Sequence, residues 1–196
     1  MILKTVSDVN IYFFDLINNF AGKNSVLDGI MIFIANYFIF IIPIFLIYLW
    51  FKKSKNDENK IKALFILFSV LISLIITWGI TLTYFHPRPF MIGLGKELIQ
   101  HAPETSFPSG HGTAMFAITF SLIFLKDYKK GIIFFILSLS VGVARIFCGI
   151  HFPFDIIGSI FVSLAGTSII FMLMKKFDFL FSKMIELYNI LGRKGD

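Results

Sequence analysis

Charge is scarce in this chain: Asp, Glu, Lys and Arg make up only 15% of its 196 residues. A water-soluble fold would not expose so few charges, so that class is excluded. Cysteine is scarcer still. The single Cys148 excludes an internal disulfide and a zinc site made of cysteines alone. It is expected to pack as a small apolar residue. Internal repeats and low-complexity tracts are missing, and no separate soluble module is visible, which leaves one membrane domain over residues 1–196. An uninterrupted apolar stretch is also missing from the first 22 residues. Asp8, Asn10, Asp15, Asn18 and Asn19 break it up, which excludes a cleavable signal.

Hydrophobic residues are abundant, at 57%, and the mean hydropathy is +0.82. Five apolar runs are long enough to span a bilayer: 28–51, 63–85, 109–125, 132–147 and 155–174. The first measures about 34 Å as a helix. It contains Asn36 and Pro43, which neighbouring helices can accommodate. Ile2, Leu3, Val6, Val9, Phe13, Phe14, Ile17 and Phe20 fall at helical spacing before it. They predict an amphipathic helix over residues 1–22, lying in the interface or partly inserted. The expected fold is therefore all-α and integral to the membrane: five transmembrane helices plus this N-terminal helix.

Charge sets the orientation. Five Lys lie in loop 52–62, three in loop 126–130, and five Lys and Arg together in the tail from 175, thirteen of the eighteen basic residues. All three segments fall on one side if the spans alternate, and the positive-inside rule makes that side cytoplasmic. The tail 175–196 is then a cytoplasmic, partly amphipathic segment. The N-terminus, loop 86–108 and turn 148–154 face outward. All four histidines, His86, His101, His111 and His151, fall on this outer side with Arg88, Arg145 and Asp155.

Two outer segments carry groups suited to phosphate chemistry. Pro108-Ser109 ends the outer loop and opens a helix. Ser is a good N-cap, and the first helical amides with the dipole form an anion site. Gly110 permits close approach of an anion, and His111 stands beside it, placed to give a proton to a leaving oxygen. The second segment is Arg145 with His151 and Asp155. Pro153 fits a helix first turn, and Asp155 can reach back to one imidazole nitrogen of His151, leaving the other as nucleophile. Arg88, in the rigid run His86-Pro87-Arg88-Pro89-Phe90, and Arg145 can clamp a phosphate. Alone, the first segment reads better as an ordinary capped helix with an interfacial histidine, and the second is a weak signal beside an interfacial histidine near an N-terminal Asp. Ser69, Ser73, Thr77 and Thr81, and Asp155, Ser159, Ser163 and Thr167, recur every four residues and read as packing seams.

Together these residues resemble the type 2 phosphatidic acid phosphatase superfamily. Its motifs Lys-x6-Arg-Pro, Pro-Ser-Gly-His and Ser-Arg-x5-His-x3-Asp appear here as Thr81-x6-Arg88-Pro89, Pro108-Ser109-Gly110-His111 and Ala144-Arg145-x5-His151-x3-Asp155. The run 86–90, the run from His101 through Glu104 to His111, and Asn24 to Asp28 are similar to the bacitracin-resistance type of undecaprenyl diphosphatase. The resemblance implies that His151 attacks phosphorus and forms a phosphohistidine, that Asp155 orients it, and that His111 protonates the leaving oxygen. It implies that Arg88, Arg145, Ser109 and Gly110 bind phosphate, with no metal or cofactor. Two positions depart from the pattern: Thr81 stands for the motif Lys and Ala144 for the motif Ser. Thr81 offers a hydroxyl contact without charge, and Lys96 is a second source for the missing cation. The partners implied are a polyprenyl diphosphate or related lipid phosphate and membrane lipids, and no nucleic acid. The implied reaction is outward-facing hydrolysis of undecaprenyl diphosphate in a bacterial plasma membrane, recycling the cell-wall carrier lipid and resisting bacitracin. Phosphatidate, phosphatidylglycerol phosphate or a lipid A phosphate are alternative substrates. A zinc-dependent enzyme and a non-enzymatic transporter-like protein are the other readings.

Overall fold

The computed structural model describes the backbone of residues 2–193, with side chains there apart from 2–6, 56, 175–180, 189 and 191–193. The described residues form helices and no strand: α1 (Ile2–Asn18), α2 (Ser25–Tyr37), α3 (Ile41–Phe51), α4 (Glu58–Thr83), α5 (Gly110–Phe124), α6 (Tyr128–Phe147) and α7 (Pro153–Arg193). Four segments are long and apolar enough to cross a membrane: Ser25–Phe51, Glu58–Thr83, Tyr128–Phe147 and Pro153–Met174. The first is α2 and α3 joined through a 3-10 turn at Phe38–Phe40. Pro43 accounts for the break, because it has no N–H for the Ile39 carbonyl and its ring crowds that group. The Ile41 N–H turns back to the Phe38 and Ile39 carbonyls instead.

The expected span 109–125 is α5, shorter at 15 residues. Every residue from Gly112 to Thr119 is buried, and α4, α6 and α7 pack around it. A helix sheathed by protein has no lipid thickness to match, so shortness costs it nothing. Two stripes of small residues frame this centre. Ser69, Ser73 and Thr77 on α4 and Ser159, Ser163 and Thr167 on α7 are all buried. A Cβ at Gly166 would lie 2.8 Å from the Ser73 Cα, so α4 and α7 meet backbone to backbone. Thr77 shares a 3.2 Å hydroxyl bond with Thr113, and the Ser159 hydroxyl donates to the Ser109 carbonyl at 2.8 Å.

Helix ends differ from expectation where charge was read as an ending. α4 begins at Glu58 and α6 at Tyr128, each several residues early. The segment 175–193, expected as a tail, continues α7, and residues 194–196 lie outside the described residues. No Gly or Pro occurs between Thr167 and Leu191 to stop the helix. Phe181 and Ile185 are buried with Leu64 and Phe65 of α4, and Phe181 stacks on Phe68 at 5.5 Å.

α1 presents Val9, Tyr12, Phe13 and Leu16 outward, as an interfacial helix would. Its other face is docked. Phe14 is fully buried against Phe116, Ile146, Phe152 and Ile156. The Asn18 amide donates to the carbonyls of Lys96 (2.9 Å) and Phe147 (2.8 Å), and its oxygen accepts from the Lys96 N–H at 2.7 Å. The Asn10 oxygen accepts from the Phe154 N–H at 3.0 Å. The polar residues that interrupt the N-terminal segment thus fasten it to the loops at one end of the bundle.

Candidate active site

Three features converge at that end: the stretch after α4, the N-terminus of α5, and the turn between α6 and α7. They surround a cavity of about 640 Å³ lined by Arg88, His101, Glu104, Gly110, His111, Arg145 and His151 among its polar residues. Thr81 and Thr105 also line it, and Leu74, Trp78 and Phe85 form an apolar wall along α4 and beyond its end. Leu74 to Phe85 spans about 16 Å at helical rise, so the cavity is sunk well into the bundle. Arg145 ties this cavity to α2, whose Ala35 carbonyl accepts from Arg145 Nη1 at 3.4 Å.

The centre is the imidazole of His151. Gly149, with φ +78°, turns the chain after α6, and a Cβ there would strike the Lys96 carbonyl. Phe152 precedes Pro153 at N1 of α7, which keeps His151 outside the helix. The Asp155 Oδ2 accepts from the Phe152 N–H at 2.7 Å and lies 3.3 Å from His151 Nδ1. A carboxylate accepts only, so Nδ1 carries the hydrogen and Nε2 the lone pair. Arg88 Nη1 lies 3.3 Å from Nε2 and Arg145 Nη2 3.5 Å from it. Burial pushes His151 down to about 4, helped by both arginines and opposed by Asp155. The result is a neutral imidazole whose free lone pair faces two guanidinium groups.

The arginines are positioned with spare donors. Arg88 Nη1 donates to the Ile150 carbonyl at 2.8 Å, and Nη2 to Glu104 at 3.3 Å and the Thr105 carbonyl at 3.4 Å. Burial lowers Arg88 from its ordinary value, with Glu104 opposing. The Nε atoms of Arg88 and Arg145 are both buried without a partner. Buried orphan donors on two cations are the expected signature of an anion site.

His111 stands in the first turn of α5 and lines the cavity with Gly110. Ser109 does not line it. Its hydroxyl, fully buried, accepts from the Gly112 N–H at 3.4 Å as the N-cap of α5, and its own N–H donates to the Asp155 carbonyl at 3.3 Å. Ser109 thus takes the N-cap role expected of it and sets where the helix begins. Thr81 lines the cavity but donates its hydroxyl to the Trp78 carbonyl at 2.7 Å. Lys96 does not supply the missing cation: its ammonium lies over Gly22, away from the cavity. Cys148 is buried beside the turn, and burial pushes its thiol up to about 12, in keeping with a packing residue.

Several contributors were not expected from the sequence. Glu104 closes over Arg88, and His101 lines the cavity with its value lowered by burial and then by Arg88. His86 lies 3.3 Å from the Asp155 Oδ1. The density of charged and histidine residues between 86 and 104 was the available signal.

Known proteins resemble this chain over most of its length. Residues 62–179 match the model of the PAP2 superfamily. The undecaprenyl-diphosphatase BcrC of Bacillus subtilis is 36% identical over 156 residues, covering 80% of this chain and 79% of that protein. The crystal structure of Aquifex aeolicus LpxE superposes with a TM-score of 0.69 and 25% identity, over 84% of this chain and 95% of that one. The transmembrane PAP2-type phosphatidylglycerolphosphate phosphatase of Bacillus subtilis has a TM-score of 0.67 at 20% identity, over 88% and 87% of the two chains.

Proposed function

The chain belongs to the PAP2 superfamily of multi-pass membrane phosphatases, and on that premise we propose that it hydrolyses undecaprenyl diphosphate to undecaprenyl phosphate and phosphate. The observation that carries the reading is the His151 Nε2 lone pair, facing Arg88 and Arg145 at 3.3 and 3.5 Å inside a recessed cavity. A terminal phosphate seated between the two arginines presents its phosphorus to that nitrogen. Nε2 bonds to phosphorus, the bond to the bridging oxygen breaks, and the electron pair leaves with the lipid monophosphate. With the negative charge of the diphosphate beside it, His111 takes up a proton and supplies it to that oxygen. Asp155 balances the charge that develops on His151. Arg88, Arg145 and the Gly110 N–H hold the equatorial oxygens. Water then attacks the phosphohistidine, the electron pair returns to Nε2, and His111 takes the proton of the water. Ser109 serves by capping α5, and Thr81 borders the phosphate seat without a charge.

The similarity to BcrC supports the polyprenyl diphosphate as substrate, and the wall of Leu74, Trp78 and Phe85 suits a lipid chain beside its headgroup. The basic segments 52–62 and 126–130 lie at the other ends of the helices that carry the site. By the positive-inside rule the cavity then opens to the outer face of a bacterial plasma membrane, in keeping with the proposed recycling of the cell-wall carrier lipid and resistance to bacitracin. The test is phosphate release by purified protein from undecaprenyl diphosphate, phosphatidate, phosphatidylglycerol phosphate and a lipid A phosphate, with and without chelator. The expected result is preference for the polyprenyl diphosphate, indifference to chelator, and no turnover by His151→Ala. A preference for phosphatidate overturns the substrate, and full activity of His151→Ala overturns the mechanism.

A further inference from the structure

The carboxylate of Asp155 has a second imidazole behind it. Its Oδ2 is engaged by His151 and the Phe152 N–H. Its Oδ1 is fully buried, lacks a hydrogen-bond partner, and lies 3.3 Å from His86 Nδ1. An unpaired oxygen on a buried carboxylate is costly, and nothing on the His151 side relieves it.

The groups facing His86 Nδ1 favour one tautomer. The Ser106 hydroxyl lies 3.1 Å from the His86 carbonyl, 3.4 Å from that of Pro87 and 2.7 Å from His86 Nδ1. The Asp155 Oδ1 can only accept, and an Nδ1 lone pair held 3.3 Å from a buried carboxylate is repelled, so the hydrogen sits on Nδ1. The Ser106 hydroxyl then accepts from Nδ1–H and gives its own hydrogen to a carbonyl. His86 therefore offers its hydrogen on the side where Ser106 and Asp155 both stand. The ring is held in place, stacked on Tyr84 at 6.3 Å and edge-on to Phe152 at 5.5 Å. Behind it lies a second cavity of about 530 Å³, separate from the phosphate seat, lined by Asn10, Ile80, Tyr84, His86, Phe107 and Asp155 among others.

We propose that His86 is a positioning residue for the reaction, acting through Asp155: its Nδ1–H, shared with the Ser106 hydroxyl, presents positive charge to Oδ1 and so keeps Oδ2 aimed at His151 Nδ1. The inference rests on the phosphohistidine reading above. Two imidazoles on one carboxylate divide the work, His151 reacting and His86 keeping the carboxylate ionised and oriented. The second cavity leaves the outer face of His86 open, so this support can be altered without entering the phosphate seat.

Two substitutions separate this role from simple packing. His86→Phe keeps a ring against Tyr84 and Phe152 but has no donor. His86→Asn loses the ring but places an N–H close to the position of Nδ1. The expected result with undecaprenyl diphosphate is a kcat lowered about ten- to a hundredfold in His86→Phe with little change in KM, a range common for residues that orient a reacting group. His86→Asn stays within a few-fold of the unsubstituted protein. Wild-type kcat in His86→Phe, or an Asn variant weaker than the Phe variant, overturns the proposal and leaves the phosphatase reading standing. Absence of turnover by the unsubstituted protein on every lipid overturns both. Should His86→Phe fail to fold, His86→Ala decides: free imidazole entering the second cavity restores part of kcat, and failure to do so counts against His86.

Discussion

Replacing Asp155 by Asn tests the site at its most sensitive point. The carboxylate accepts from the Phe152 N–H at 2.7 Å and faces His151 Nδ1 at 3.3 Å through one oxygen. In Asp155→Asn the amide oxygen must stay on that side, because two donors lie there. The geometry of His151 then survives and its charge partner does not. At 3.3 Å and an effective dielectric of about 20, a full ion pair is worth about 5 kcal/mol. His151 is neutral before attack and carries roughly half a charge at the transition state, so about 2–3 kcal/mol is lost there. A neutral acceptor in place of a charged one removes about 1 kcal/mol more. The sum, about 3–4 kcal/mol, lowers kcat by about a hundred- to a thousandfold. KM should hardly move, because the lost interaction develops only as the phosphorus–nitrogen bond forms. Steady-state phosphate release gives both constants, and a rapid quench measures the phosphohistidine formed in one turnover. A kcat within about tenfold of the unsubstituted protein, or a loss confined to KM, refutes the reasoning.

Other expectations follow from the same geometry. Arg88→Lys keeps the charge but cannot reach Ile150, Glu104, Thr105 and His151 together, so kcat/KM should fall about a hundredfold in the phosphate-release assay. His151, held at about 4 by burial, is below its ordinary 6.5, so it stays unprotonated from neutral pH down to about pH 5 and gains its proton only as pH falls through 4. An NMR titration of its ring nitrogens should show that midpoint, and one near 6.5 contradicts the burial argument. Thr81→Lys places an ammonium on the cavity wall, and should lower KM and strengthen inhibition by inorganic phosphate several-fold. Asn18→Ala leaves two carbonyls and an N–H unpaired and should cost about 2–4 kcal/mol in a detergent unfolding titration.

The helices and five groups of the site, Arg88, His111, Arg145, His151 and Asp155, could be read from the sequence. They belong to short motifs, each confined to one turn or loop, where spacing alone fixes geometry. What escaped reading depends on contacts far apart in the chain. Asn18 meets Phe147, and Asn10 meets Phe154, across more than a hundred residues, so they looked like interruptions in an apolar segment. The tie between Arg145 and the Ala35 carbonyl escaped too, because it also joins residues more than a hundred positions apart. The continuation of α7 past Lys175 and Lys176 was hidden because charge was taken as an end signal, although charge does not stop a helix.

The clasp at Asn18 has a chemical consequence. Its nitrogen faces two carbonyls and its oxygen one N–H, so only an amide in one orientation satisfies all three. Spontaneous deamidation would exchange that nitrogen for a second oxygen with almost no change in shape. Two attractions would become repulsions, directed at the strand of chain that carries Lys96 and at the last turn of α6 behind His151. Ageing at this one side chain, remote from any reacting atom, would loosen the site from behind.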